Sequence, residues 1–265
     1  MDKNWKITVW GVRGSAPAPY QEFMEYGGNT SCVSVRRKNH MVVFDAGTGL
    51  ITLGREWDTQ TDMRLDILIS HLHIDHVMGL FLFQPLFAAD MEIHLYGGTG
   101  LEQKMRQLLS PPWWPLGVQD FKAKLYFHEI QAGDRFELGG FAVSTMAGNH
   151  PGGNILYRLE SDGKRLVHAL DCESDEGTFE KITAFSHGSD LIIWDANFTA
   201  EDFKESWGHS TWEQGLKAGH EAGAGRVLMT HYSHGYTDNF LREQEREACK
   251  DALCIFAKER MEIIL

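Results

Sequence analysis

Residues 71–76 read His71-Leu72-His73-Ile74-Asp75-His76, placing four metal-ligand side chains within six positions. Neutral imidazoles and carboxylates suit zinc and similar first-row divalent ions. The cluster directly follows Leu65-Asp66-Ile67-Leu68-Ile69-Ser70, an apolar run with the pattern of a buried strand. His71 and His73 alternate like residues on one face of a strand end. Asp75 and His76 then open a helix running through Val77-Met78-Gly79-Leu80. Such a turn aims four side chains at two neighbouring points, which fits two metal ions more readily than one tetrahedral ion. A polar loop with chance histidines is the plain alternative, and the spacing argues against it.

A second metal needs further ligands, and isolated His or Asp residues at strand ends are where to look. His150 ends Met146-Ala147-Gly148-Asn149 and precedes Pro151-Gly152-Gly153. Asp171 ends Leu166-Val167-His168-Ala169-Leu170, and His231 ends Val227-Leu228-Met229-Thr230. Taken singly, His150 and His231 would read as hydrogen-bonded core histidines, and Asp171 as a helix N-cap. Their order and their shared strand-end setting favour ligation.

Positioning these residues requires strands that stop in the right places. Strand-like runs cover residues 6–10, 32–36, 41–45, 66–70 and 92–96, with turn signals at Gly27-Gly28-Asn29-Thr30 and Gly47-Thr48-Gly49. A helix over 101–109 stops at Ser110-Pro111-Pro112 and leads into the aromatic loop Trp113-Trp114-Pro115. Strands follow at 124–130, 135–138, 141–146, 155–160 and 165–169, with a hairpin signal at Gly139-Gly140. Helices over 176–186 and 211–222 alternate with strands over 191–194 and 227–230. A charged amphipathic helix over 240–258 closes the chain. Two strand-rich halves, each followed by helices, predict an α/β (α+β) fold. Its form is a four-layer αββα sandwich of two packed mixed β-sheets with helices outside. No repeat, linker or composition shift divides the sequence, so one domain over residues 1–265 is expected.

Apolar residues make up 43% of the chain and charged residues 23%, as in ordinary globular domains. The net charge of −12 argues against a broad footprint for long nucleic acid. It leaves room for a small anionic substrate, because a metal site supplies its own positive charge. Cys32, Cys172, Cys249 and Cys254 show no CxxC spacing and read as reduced thiols. The segment from Met1 to Lys6 lacks an apolar signal region, and no apolar run approaches a membrane span. A cytoplasmic location with no membrane partner is expected.

The ordered ligand set resembles that of the metallo-β-lactamase-fold hydrolases. His71-Leu72-His73-Ile74-Asp75-His76 matches the HxHxDH motif of that superfamily. His150, Asp171 and His231 match, in order, its later histidine, bridging aspartate and final histidine. The resemblance runs from Trp10-Gly11-Val12-Arg13-Gly14-Ser15 to Thr230-His231-Tyr232-Ser233. It implies one divalent ion on His71, His73 and His150, another on Asp75, His76 and His231, and Asp171 between them. Zn²⁺ is expected, with Mn²⁺ or Fe²⁺ open to the same N/O donors. Two ions about 3.5–4 Å apart clamp a bridging hydroxide and the substrate oxygens. Asp75 would orient or deprotonate that water.

Within the superfamily, His76 and Asp171 point away from the antibiotic-hydrolysing members. The segment Gly208-His209-Ser210-Thr211 resembles the phosphodiesterase branch, near RNase Z and the cyclic-phosphate phosphodiesterases. There the matching histidine contacts the scissile phosphate, which would make His209 a catalytic residue aiding the leaving oxygen. Capping the helix that begins near Ser210 is the plainer role for His209. No long Gly/Pro-rich insertion resembles the tRNA-grasping arm of RNase Z. A small or cyclic phosphodiester is therefore the expected substrate and partner. A thioesterase, lactonase or glyoxalase II-like hydrolase is the alternative on the same site, and a non-catalytic metal-binding protein the third reading. Trp113-Trp114 and Leu80-Phe81-Leu82-Phe83 could flank a base, or the tryptophans could pack a homo-oligomer interface. His234, His40, His94, His128, His168, His187 and His220 are expected to be structural, exposed or substrate-facing rather than ligands.

Overall fold

Alternate side chains of strand β1 (Trp5–Gly11) divide between two cores. Trp5, Ile7 and Val9 face one, and Trp10 faces the other. The same division recurs in β2 (Cys32–Arg37) and β3 (His40–Phe44), where Val33, Val35, Val42 and Phe44 oppose Cys32, Met41 and Val43. A strand buried on both faces must lie between layers. The sequence forms those layers. The computed structural model describes residues 4–58 and 63–265. The first residues of the N-terminal segment considered above lie outside them.

Helix α1 (Gly49–Glu56) follows β3, then come β4 (Arg64–Leu68), β5 (Glu92–Gly97), α2 (Leu101–Leu108) and β6 (Lys124–Glu129). The second half runs β7 (Arg135–Leu138), β8 (Phe141–Ala147), β9 (Ile155–Ser161), β10 (Lys164–Ala169), α3 (Glu176–Phe185), β11 (Leu191–Asp195) and α4 (Trp212–Ala222). It ends with β12 (Val227–Thr230), α5 (Asp238–Ala248), β13 (Cys254–Phe256) and β14 (Glu262–Ile264). Among the described residues these strands make two seven-stranded sheets, ordered β14-β1-β2-β3-β4-β5-β6 and β13-β12-β11-β10-β9-β8-β7. Each sheet is mixed. Strands β3 to β6 are parallel neighbours in one, and β10 to β13 in the other. The expected sandwich of two mixed sheets with helices is therefore present.

The larger core joins Phe44 and Leu68 to Tyr157 and Leu166 between the sheets, and continues to Trp194, which packs against α4. The smaller core lies between the first sheet and α1 and α2, with Leu50, Leu53, Leu101 and Met105 against Ile67 and Ile93. The Gly139-Gly140 hairpin forms as expected. Both glycines have positive φ (56° and 84°), and Leu138 pairs with Phe141 across the turn.

Two elements differ from the sequence reading. The Gly47-Thr48-Gly49 turn leads into helix α1, which glycine spacing concealed. A Cβ on Gly49 would meet the Trp10 backbone at 2.6 Å, so the glycine allows α1 to lie close on β1. The closing helix is also shorter than residues 240–258. It starts beyond the Thr237 N-cap and ends at Ala248, and Asp251 then accepts from Leu253 N to turn the chain. Beyond that turn Cys254–Phe256 pairs in parallel with β12, because its apolar residues fit a sheet edge. Among the described residues, no helix is long and apolar enough to cross a membrane.

Candidate metal centre

The parallel strands deliver the chemistry at their C-terminal ends, where open α/β sheets form crevices. Strand β4 runs into His71–His76, β10 into Asp171, and β12 into His231. The 71–76 segment is tighter than the helix expected from sequence. It forms two successive 3-10 turns, Ile74–His76 and Met78–Leu82. Asp171 (φ 51°) and His231 (φ 62°) sit in the left-handed region, and so does Asp45 (φ 58°), just after β3. Left-handed non-glycine residues cost of order 1 kcal/mol or more each, and they concentrate at functional sites. Here each one turns a side chain out of a strand end into the common crevice.

Every ligand expected from sequence converges on that crevice. His71, His73 and His150 form one cluster of donor atoms, and Asp75, His76, Asp171 and His231 form another; a third set, Asp171, Asp195, His209 and His231, overlaps the second. The two carboxylate oxygens of Asp171 divide between them. Oδ2 lies 3.7 Å from His71 Nε2 and 3.8 Å from His150 Nε2. Oδ1 lies 3.3 Å from His76 Nε2 and 3.1 Å from His231 Nε2. Asp75 Oδ2 stands 3.2 Å from His76 Nε2 and 3.5 Å from His231 Nε2. Its orientation is set by Ser15 N, which donates to it at 2.8 Å. Asp171 is not the cap of α3, because Asp175 caps that helix through Thr178 N.

A further layer holds the imidazoles. His76 Nδ1 bonds Asp45 at 2.9 Å, and Ser70 N and Oγ donate to the same carboxylate. His150 Nδ1 donates to Gly208 O at 2.8 Å. A Cβ on Gly208 (φ 79°) would come within 2.3 Å of that nitrogen, so only glycine allows the approach. Buried Glu173 accepts from Ser206 N and Gly208 N, both at 3.0 Å, and pins the loop that carries this carbonyl. His209 Nδ1 donates to Asp195 Oδ2 at 2.9 Å and lies 4.0 Å from Asp171. The capping role open to His209 falls to Thr211, whose hydroxyl accepts from Gln214 N.

Sequence reasoning missed Asp45, Asp195 and Glu173. The strand-end criterion that found Asp171 admits Asp45 and Asp195 equally well. Glu173 has no comparable local signal. His168 proves structural: it is buried, stacks on Phe44 at 4.5 Å, and is pushed by burial down to about 4, so it stays neutral. His234 is exposed and belongs to neither cluster. Cys172 is buried, and its sulfur accepts from Asn149 N.

Electrostatics favour cations here. Asp45, Asp75, Asp171 and Asp195 are all buried within this small volume. Burial is the largest influence on each and opposes ionisation, yet the surrounding histidines hold all four below the usual carboxylate range. Burial also pulls the histidines down. It wins at His71, helped by the neighbouring His76, and keeps that ring well below its ordinary value. It loses at His76 and at His231, where Asp171 and the other carboxylates prevail and raise His231 to about 10. Divalent cations would neutralise the carboxylates and leave both imidazoles free to ligate. His71 Nε2 and Asp171 Oδ1 are buried without a hydrogen bond and aim into the same crevice, as ligand atoms must. The donor set therefore fits two divalent ions.

The family model described as a β-lactamase superfamily domain matches residues 40–232. The chain belongs to the β-lactamase superfamily. Ribonuclease Z of Methanosarcina acetivorans is 22% identical, the alignment covering 88% of this chain and 89% of that protein. The structure of the metallo-β-lactamase fold protein YhfI from Bacillus subtilis superposes with a TM-score of 0.77 at 21% identity, covering 100% of both chains. A diphosphatase of the PhnP family superposes with a TM-score of 0.74 at 18% identity, over 99% of this chain and 97% of that one.

If Asp45 orients His76, Asp45→Asn should weaken metal at the Asp75, His76 and His231 cluster about 10–100-fold. Asparagine tolerates the left-handed backbone at this position, so the fold should persist. Competition with a chromophoric chelator checks this, with a smaller loss at the His71, His73 and His150 cluster, which Asp45 reaches only through Ser70 Oγ.

Proposed function

We propose that the protein is a dinuclear metal-dependent hydrolase, and specifically a phosphodiesterase acting on a small or cyclic phosphodiester. The carrying observation is the division of Asp171 between two ligand clusters, with His209 beside it. Superfamily membership and the metal-fitted site support the hydrolase reading. The names of two relatives, ribonuclease Z and diphosphatase, both denote cleavage at phosphorus.

His71, His73 and His150 would hold one ion, Asp75, His76 and His231 the other, and Asp171 both. Zinc suits this N/O set. When bound, the ions lower the pKa of water and offset charge on phosphate oxygens. Asp75, fixed by Ser15 N, orients the attacking water. His209 is oriented through Nδ1 by Asp195, leaving Nε2 to donate a proton to the departing oxygen. A net charge of −12 favours a small anion over a long polyanion as substrate.

Parallel assays of the zinc- or manganese-loaded protein on bis-p-nitrophenyl phosphate, a thioester and a lactone test the reading. The phosphodiester should be cleaved at least about tenfold more efficiently, with activity lost to chelator and restored by metal. Preferential cleavage of the thioester or lactone would overturn the phosphodiester assignment.

A further inference from the structure

Two neighbouring cavities lie on this side of the molecule, one of them at the metal centre. The first, about 550 Å³, is bordered by His71 and His73. The second, about 320 Å³, is lined by Leu72, Lys104, Met105, Gln107, Leu108 and Trp113. Leu72 and Lys104 line both, so the compartments are adjacent at that point. The second is mostly apolar and lies against α2, where Lys104 and Leu108 are one turn apart on one face.

Trp113 is 67% exposed, an unusual position for so large an apolar ring. Its neighbour Trp114 stacks on Phe81 at 5.0 Å with planes 17° apart, and the backbone N–H groups of both tryptophans bond Ser110 O. The loop is thus anchored and holds the exposed indole at the rim. Lys104 Nζ donates to Thr99 O at 3.1 Å and takes part in no ion pair among the described residues. A chain of net charge −12 presents this ammonium between an apolar annex and the metal centre.

We infer that the annex is a specificity subsite for a planar aromatic ester arm of the substrate, of the nucleobase class, with Lys104 facing its phosphate. The inference rests on the phosphodiesterase reading. An exposed tryptophan face accepts any flat π-system, and stacking of this kind tolerates variation in the ring. The ammonium complements the anionic group that must sit beside the ring. An aliphatic arm would leave the indole face in water and gain little.

The test compares thymidine 5′-(2,2,2-trifluoroethyl) phosphate with methyl 2,2,2-trifluoroethyl phosphate, which share an activated, non-aromatic leaving group. Calorimetry on the metal-loaded protein compares thymidine 5′-monophosphate with methyl phosphate. In the unaltered protein the thymidine compounds should have KM and Kd about tenfold lower than their methyl counterparts. Trp113→Ala should erase that ratio through loss of thymidine binding, and Trp113→Phe should restore it. Lys104→Ala should weaken both monophosphates. A thymidine-to-methyl ratio unaltered by Trp113→Ala, or an equal loss for both ligands, overturns the subsite. Selective thymidine 5′-monophosphate binding with no turnover of either ester would sustain the subsite and sink the phosphodiesterase reading.

Discussion

Asp171→Asn should reduce bound metal from two ions per chain to one or fewer. Phosphodiester turnover should fall by about three orders of magnitude, on the order of 4 kcal/mol of transition-state stabilisation. The change is nearly isosteric, and asparagine accepts the left-handed backbone that Asp171 adopts at φ 51°. What it removes is the second anionic oxygen. Oδ2 faces His71 and His150, and Oδ1 faces His76 and His231. An amide would place an N–H2 donor where one cluster offers a lone pair, so that cluster would hold a divalent ion less tightly. Elemental analysis of the purified variant, with turnover and circular dichroism, checks this. A folded variant that keeps two ions and full turnover would remove Asp171 from the bridging position.

The parts of this site that were legible in sequence share a cause. His71 to His76 lie within one turn of chain, so local spacing alone brings them together. His150, Asp171 and His231 are distant in sequence, yet each ends an apolar run, and strand ends of one sheet open on one crevice. Asp45, Asp195 and Glu173 act only through tertiary contacts, with His76, with His209 and with the 206–208 loop. Nothing local separates them from other acidic residues that follow a strand.

The fold errors have a similar origin. Gly47 and Gly49 signal a turn, but Gly49 also permits the close packing of α1 on Trp10, which appears only once β1 is in place. The helical periodicity after residue 240 is real through Ala248. Residues Cys254–Phe256 change state because β12 offers a free parallel edge. In each case tertiary contact overrode a weak local preference.

His209→Ala should separate chemistry from metal binding. His209 is outside both ligand clusters assigned to the two ions, so metal content should stay at two per chain while turnover falls. The size of the fall should depend on the leaving group. An alkoxide leaves poorly without a proton, and loss of a general acid there should reduce the rate about 10²–10⁴-fold. A p-nitrophenolate leaves readily unprotonated, so the same variant should lose less than about tenfold on such esters. The pH profile follows from the same contact. Burial is the largest influence on His209 and pulls its pKa down, but Asp195 at 2.9 Å, aided by Asp171, outweighs it and raises the pKa above its ordinary value. A general acid works in its protonated form. Activity on alkyl esters should therefore persist below that raised pKa and decline as pH climbs through it. Asp195→Asn removes the main charge holding the proton, which lowers the His209 pKa and moves the alkaline limb to lower pH. An equal loss on alkyl and p-nitrophenyl esters in His209→Ala would show that His209 binds the phosphate without donating the proton.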